Sequence, residues 1–228
     1  MARPSAPARE ALMNAAERLI GQHGIAQVSS RRIAEEAGNT NHSAVAYHFG
    51  SREGLLQKMV ERQVSDLEPA RAAIIDALGD TGDVIDYVRA TVVPMTDSLG
   101  ALPQPSWRAR FIRQALADPA IGSLFDDDPL LGPSLRRVTR ILHSRMAHIP
   151  DDIINGRFTL MAHLITEACA AYEESISIHP EHADWSATGR FLTDAAAGML
   201  SAPDTSQAGS QVAGNSRPHP SVISTGTE

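Results

Sequence analysis

Val28-Ser-Ser-Arg-Arg-Ile-Ala-Glu-Glu-Ala-Gly-Asn-Thr-Asn-His-Ser-Ala-Val-Ala-Tyr-His-Phe49 is the stretch whose reading decides the fold. Two short helical patterns meet in it at a Gly-Asn-Thr-Asn turn. Ser29 is a good N-cap, because its hydroxyl can accept from a free backbone N–H, and Ile33, Ala34 and Ala37 then recur at helical spacing. Gly38 can take the left-handed conformation that closes a helix without a Cβ clash, and Asn39, Thr40 and Asn41 supply turn and cap chemistry for the next one. The second helix is expected to start at Asn41 or His42, with Val45 and Phe49, four apart, as its apolar anchor. His42, Ser43, Ala44, Ala46, Tyr47 and His48 then fall largely on the other side. A helix this short is not stable alone. A docked apolar edge and a small, hydrogen-bonding outer face suit presentation to something large, and the major groove of DNA fits that description.

Working outward, three motifs follow one another: Ile33-Ala34-Glu35-Glu36-Ala37-Gly38, Ala44-Val45-Ala46-Tyr47-His48-Phe49, and Ser51-Arg52-Glu53-Gly54-Leu55-Leu56. Their order and spacing resemble the N-terminal DNA-binding domain of the TetR family of transcriptional regulators over residues 9–67, about a quarter of the chain. The turn after Gly38 is one residue longer than the commonest family pattern. The resemblance implies a homodimeric regulator, a repressor by expectation, that binds a pseudo-palindromic double-stranded operator. It also implies an all-α body whose small-molecule effector lowers DNA affinity, and whose last two long helices pair with their copies in a four-helix bundle.

Composition sets the bounds. A chain of 228 residues can bury a sizeable core, and 43% hydrophobic with only 4% aromatic residues, rich in Ala and Leu, points to an all-α class. The single Cys169 excludes an intramolecular disulfide and a cysteine-based zinc site, and suits a reducing cytoplasm. Nothing at the start resembles a signal peptide, and no apolar run approaches membrane length. The net charge of −7 is unevenly distributed: residues 1–62 carry +2 and the remainder −9. An acidic body repels phosphate and leaves the small head to approach it.

Arg9 to Gly21 reads as a first helix through Leu12, Ala15, Ala16, Leu19 and Ile20, and with the two helices above makes a three-helix, homeodomain-like head. After the Ser51 cap a lever helix carries Leu55, Leu56, Met59, Val60, Val64 and Leu67, and Pro69 is expected to interrupt or kink it. Amphipathic helices then succeed one another to about Ala202, with an acidic connection at Asp126-Asp-Asp-Pro129. From Asp151 to Ser177 the stripe Ile154, Phe158, Met161, Ile165, Ala168 and Tyr172, flanked by Ile153, Leu160 and Leu164, is wider than one neighbour needs. A last helix from Ala183 to Leu200 has Phe191, Leu192, Ala195 and Met199 spaced for packing. The expected division is a flexible 1–8, the head at 9–67, the effector-binding and dimerisation body at 68–202, and a disordered tail at 203–228, too poor in bulky apolar residues to offset its ordering entropy.

The expected DNA face puts His42, Ser43 and Ala44 nearest the base edges, flanked by Thr40 and Asn41. Tyr47, His48, Ser29, Arg31, Ser51, Arg52 and Lys58 are placed on phosphate oxygens. The reading helix holds no arginine, so bidentate guanine recognition is not expected from it. For the effector, Trp107, Phe111, Gln114, Met146, Phe158, Met161 and His163 are the apolar and polar types that line such cavities, although residues of this kind at helical spacing are commonly plain core. Arg110 and Arg113 read as a solvated face. No cofactor is expected, and no metal: His143 with His148 and His179 with His182 lack helical i, i+4 spacing with an acidic partner, and there is no HExxH. The rival reading is an α-helical enzyme or interaction module with an incidental helix-turn-helix, although no glycine-rich phosphate cradle or nucleophile elbow is present.

Overall fold

The computed structural model describes residues 5–119, 121 and 132–204. Among them are nine α-helices and no strand. The expectations for the first four residues, for the acidic connection at 126–129 and for the tail beyond Asp204 lie outside the described residues.

Three helices form the head: α1 (Ala6–His23), α2 (Ser30–Glu36) and α3 (Ala44–Phe49). Leu12, Ile20 and Ile33 are fully buried, and Val45 nearly so. Each such side chain contributes roughly 1.5–3 kcal/mol by leaving water, which is what holds a six-residue helix that could not form alone. Ser29 caps α2 as its sequence suggests, its Oγ accepting from the Arg32 N–H at 3.2 Å.

Helix α4 (Arg52–Leu78) starts at a second serine cap, Ser51 Oγ accepting from the Gly54 N–H at 3.0 Å, and runs through Pro69 without a break. The expected interruption does not occur. Pro69 cannot donate to the Ser65 carbonyl, but both residues lie on the exposed side, where water can satisfy it. At 27 residues α4 is about 40 Å long. Its Leu55, Leu56, Met59 and Val60 belong to the head core, and its Leu67 and Ile75 to a second core.

That second core is built by α4, α5 (Val84–Gly100), α7 (Gly132–Arg145), α8 (Asp151–Ile178) and α9 (Trp185–Ser201). α5 and α9 pack most closely where Gly189 faces Thr96: a Cβ added at Gly189 would lie 2.5 Å from Thr96 Oγ1. The spacing on α9 is only partly as expected. Leu192, Ala196 and Leu200 turn inward, while Phe191 is 70% exposed in the single chain.

Helix α6 (Arg108–Ala117) lies between the two cores and contributes to both. Its Ala109 packs with the body, but Phe111 and Ala115 are buried in the head core with Leu19 and Ile20 of α1. The first turn of α6 is tied to α8 by Glu173, which is fully buried. The Glu173 carboxylate accepts from Ser106 Oγ at 2.7 Å and from the Ala109 N–H, the Arg110 N–H and Arg110 Nε, each at 3.1 Å. Arg110 is therefore not the solvated face that its sequence suggests. A carboxylate is well placed at a helix N-terminus, where unpaired N–H groups and the helix dipole favour negative charge.

Candidate nucleic-acid interface

The turn before α3 is organised by two asparagines. Asn39 Oδ1 accepts from the Asn41 N–H and Asn41 Oδ1 from the Ser43 N–H, both at 3.0 Å, as consecutive side-chain-to-backbone turns. Gly38 takes φ +69°, the left-handed conformation expected of it. This local chemistry delays the helix: α3 starts at Ala44, not at Asn41 or His42. The buried stripe of α3 is also wider than Val45 and Phe49 alone, which corrects one assignment. Ala44 is 2% exposed and packs beside Val45 in the head core, so it is unavailable to base edges.

What remains outward is Thr40, Asn41, His42 and Ser43 in the turn, and Ala46 and Tyr47 on the helix. Tyr47 is 49% exposed, with its ring edge-on to His48 at 5.0 Å. His48 is half-buried and its Nδ1 is turned inward. The other end of α3 is clamped from α1: Arg9 donates to the His48 carbonyl, and its guanidinium lies 4.5 Å over the Phe49 ring. A cation at a helix C-terminus offsets the partial negative charge there. Nothing local could have revealed the clamp, because its partners are 39 and 40 residues away in the chain.

The basic residues divide by what already holds them. Arg52 is drawn inside, contrary to its expected place on phosphate: Nε donates to the Val28 carbonyl at 3.0 Å and Nη2 to the Ile25 carbonyl. It ties the start of α4 to the α1–α2 connection. Arg31 and Lys58 remain outside in ion pairs with Glu35, at 2.8 Å, and Glu61, at 2.5 Å. Exposed pairs of this kind contribute about 0–1 kcal/mol, so exchanging a carboxylate for a phosphate is cheap. The Arg31 hydrogen bond holds the Glu35 carboxyl below its ordinary range, and His42 Nδ1 lies 3.7 Å from the same carboxylate. Ser29 is exposed at the head of α2.

The residues expected to line an effector cavity do not converge. Phe111 is in the head core, and the Gln114 side chain rests against Gly24 at the end of α1. Met146, Phe158 and Met161 are in or against the body core, and His163 is exposed on α8. Trp107 does border an open cleft of about 750 Å³ between head and body, with Glu10, Asn14, Arg18, Arg62 and Asp66. On one wall of that cleft Glu17 of α1 pairs with Arg108 of α6 at 2.6 Å and Arg62 of α4 at 3.2 Å. Burial raises the Glu17 carboxyl above its ordinary range, and the two guanidiniums partly offset this. No described helix is long and apolar enough to cross a membrane.

A braced short helix with an exposed polar face, on a head joined through α4 and α6 to an all-helical body, is the arrangement that helix-turn-helix proteins use. Comparison with known proteins agrees. Residues 12–59 match the model of bacterial regulatory proteins of the tetR family. The chain is 44% identical over 73 residues to the HTH-type transcriptional regulator BetI of Agrobacterium fabrum, a match covering 31% of this chain and 34% of that regulator. It thus spans about a third of the length of that curated relative. A tetR family transcription regulator from Shewanella sp. PV-4 shares the fold, with TM-score 0.57 and 19% identity over 83% of this chain and 95% of that one. So does a TetR-like regulator from Rhodococcus sp. RHA1, with TM-score 0.55 and 18% identity over 89% and 100%. Over residues 12–59 the chain is thus similar to the tetR family of bacterial regulatory proteins.

Proposed function

We propose that this protein is a homodimeric, sequence-specific transcriptional repressor, acting on DNA in the cytoplasm, whose grip on its operator is loosened by a small molecule. The observation that carries the DNA reading is the exposed surface of Asn41, His42, Ser43 and Tyr47 on a segment anchored by buried Ala44 and Val45 and by the Arg9 clamp. Ser43 and His42 read base edges and Tyr47 donates to phosphate, with Ser29, Thr40, Arg31 and Lys58 as further contacts to the DNA backbone. The head is residues 9–67 and the body 68–202.

Dimerisation uses α8 and α9. Leu160 and Phe191 are 55% and 70% exposed in the single chain, large apolar surface that a second copy would cover. A two-fold dimer presents two heads, and half-sites about 34–36 Å apart suit helix-turn-helix pairs.

The effector acts through α6. This helix has its first turn held by Glu173 of α8, its Phe111 in the head core, and its Arg108 on Glu17 of α1. A ligand entering beside Trp107 would move α6 and α1 together and respace the heads. By linkage, operator DNA must then weaken the ligand by the same factor, about 5–150-fold for a coupling of about 1–3 kcal/mol.

Footprinting on the DNA flanking the protein's own gene, at low and raised salt, tests the reading. A protected pseudo-palindrome that survives raised salt supports it, and uniform weak protection of all sequences would favour an enzyme or interaction module with an incidental helix-turn-helix.

A further inference from the structure

We propose that the turn between α8 and α9 is a binding site for a divalent transition-metal ion of the zinc type, ligated by His179, Glu181 and His182. One ligand atom from each of these exposed residues lies within 4.8 Å of the others. His179 Nδ1 is 3.3 Å and His182 Nε2 3.9 Å from the same Glu181 oxygen, Oε1. Ligand atoms about 2.0–2.1 Å from a tetrahedral zinc ion stand about 3.3 Å apart. One of the three ligand-to-ligand edges is therefore already formed, and a second, at 3.9 Å, closes with a small rotation of a solvent-exposed side chain.

The backbone under these ligands is fixed. Pro180–His182 form one turn of 3-10 helix, and Pro180 has its φ set by its ring. The Tyr172 hydroxyl of α8 accepts from the Asp184 N–H at 2.5 Å and donates to the His182 carbonyl at 3.2 Å, pinning the turn from both sides. The Tyr172 ring in turn packs edge-on to the buried Trp185 at 4.9 Å. The two imidazoles, 5.6 Å apart and tilted by 31°, sit on a rigid platform. The helical i, i+4 spacing whose absence argued against a metal does not apply here. In a 3-10 turn residues i and i+3 stand above one another.

Two neutral imidazoles and a carboxylate suit zinc, nickel and copper, whereas magnesium and calcium require more oxygen ligands. The acidic balance of the chain beyond residue 62 draws cations to this surface. With three protein ligands the ion keeps a position for water or for a group from a partner.

Isothermal titration of the untagged full-length chain with zinc chloride tests the proposal. The expected result at pH 7.5 is one saturable equivalent per chain. Nickel should bind at the same site, and magnesium should not. Losing a residue that only supports a ligand costs about 10–100-fold in affinity, so His179→Ala or His182→Ala should each weaken zinc by at least ~100-fold. Glu181→Gln should weaken it too. His148→Ala, at an exposed histidine elsewhere, should not. All these residues are exposed, so the variants keep the wild-type circular dichroism spectrum. Absence of saturable zinc binding in the wild type, or binding equally tight in a His179→Ala, His182→Ala double variant, would overturn the proposal.

Discussion

Removing the Glu173 carboxylate probes the joint between α6 and α8 most sharply. The side chain is fully buried and accepts four hydrogen bonds, from Ser106, Ala109 and twice from Arg110. In Glu173→Ala the two backbone N–H groups at the start of α6 lose their acceptor. The Arg110 side chain, only 12% exposed, keeps its bond to the Ser106 carbonyl but loses its counter-charge. Removing one partner of a buried ion pair costs about 3–5 kcal/mol, because the other charge stays desolvated. For a chain of this size that corresponds to a fall in Tm of roughly 6–20 °C. Glu173→Gln keeps the volume and one acceptor oxygen but places an amide N–H against donors, and should lose about 2–3 kcal/mol. Urea denaturation at fixed protein concentration should show a lower midpoint with an unchanged slope. A loss below about 1 kcal/mol in Glu173→Ala would refute the account of the joint.

Three further outcomes are expected. Gly189→Ala brings a methyl within 2.5 Å of Thr96 Oγ1 and should destabilise by about 1–3 kcal/mol in a thermal melt, with Thr96→Ala partly restoring the loss. Tyr47→Phe removes the hydroxyl proposed to meet phosphate and should lower affinity about tenfold for operator and random duplex alike, as measured by gel shift. A change confined to one base position would instead put Tyr47 on a base. Cys169 is 1% exposed and burial pushes its thiol up to about 12, so Ellman's reagent at pH 8 should not react with it until urea unfolds the protein. Immediate stoichiometric reaction would contradict the described packing of α8.

The head could be read from its sequence because its determinants are local. The caps Ser29 and Ser51, the left-handed Gly38 and the apolar spacing of α1 depend on residues a few positions apart. The errors arise where partners are distant or phase is delicate. Ala44 reads as outward from its spacing to Val45 and Phe49, yet in a helix barely longer than one turn and a half it opens the helix and packs beside Val45 in the head core. Arg52 reads as a surface base at a helix start, yet its fork is taken by two carbonyls 24 and 27 residues back. Phe111 has the spacing of a body residue but is buried with α1, because α6 is shared between cores. Glu173 looks like one more polar residue on a long helix, and only the fold brings the first turn of α6 to it. Phe191 has the spacing of a core residue, yet it is 70% exposed in the single chain.

The central claim is that the turn and α3 discriminate among DNA sequences. Fluorescence anisotropy with the protected flanking sequence and with a scrambled duplex of equal length, at physiological salt, measures this directly. The account predicts at least ~10³-fold tighter binding to the protected sequence, reduced toward the scrambled value by Ser43→Ala combined with His42→Ala. Equal affinity for the two duplexes, or a ratio that this double variant leaves unchanged, would contradict it.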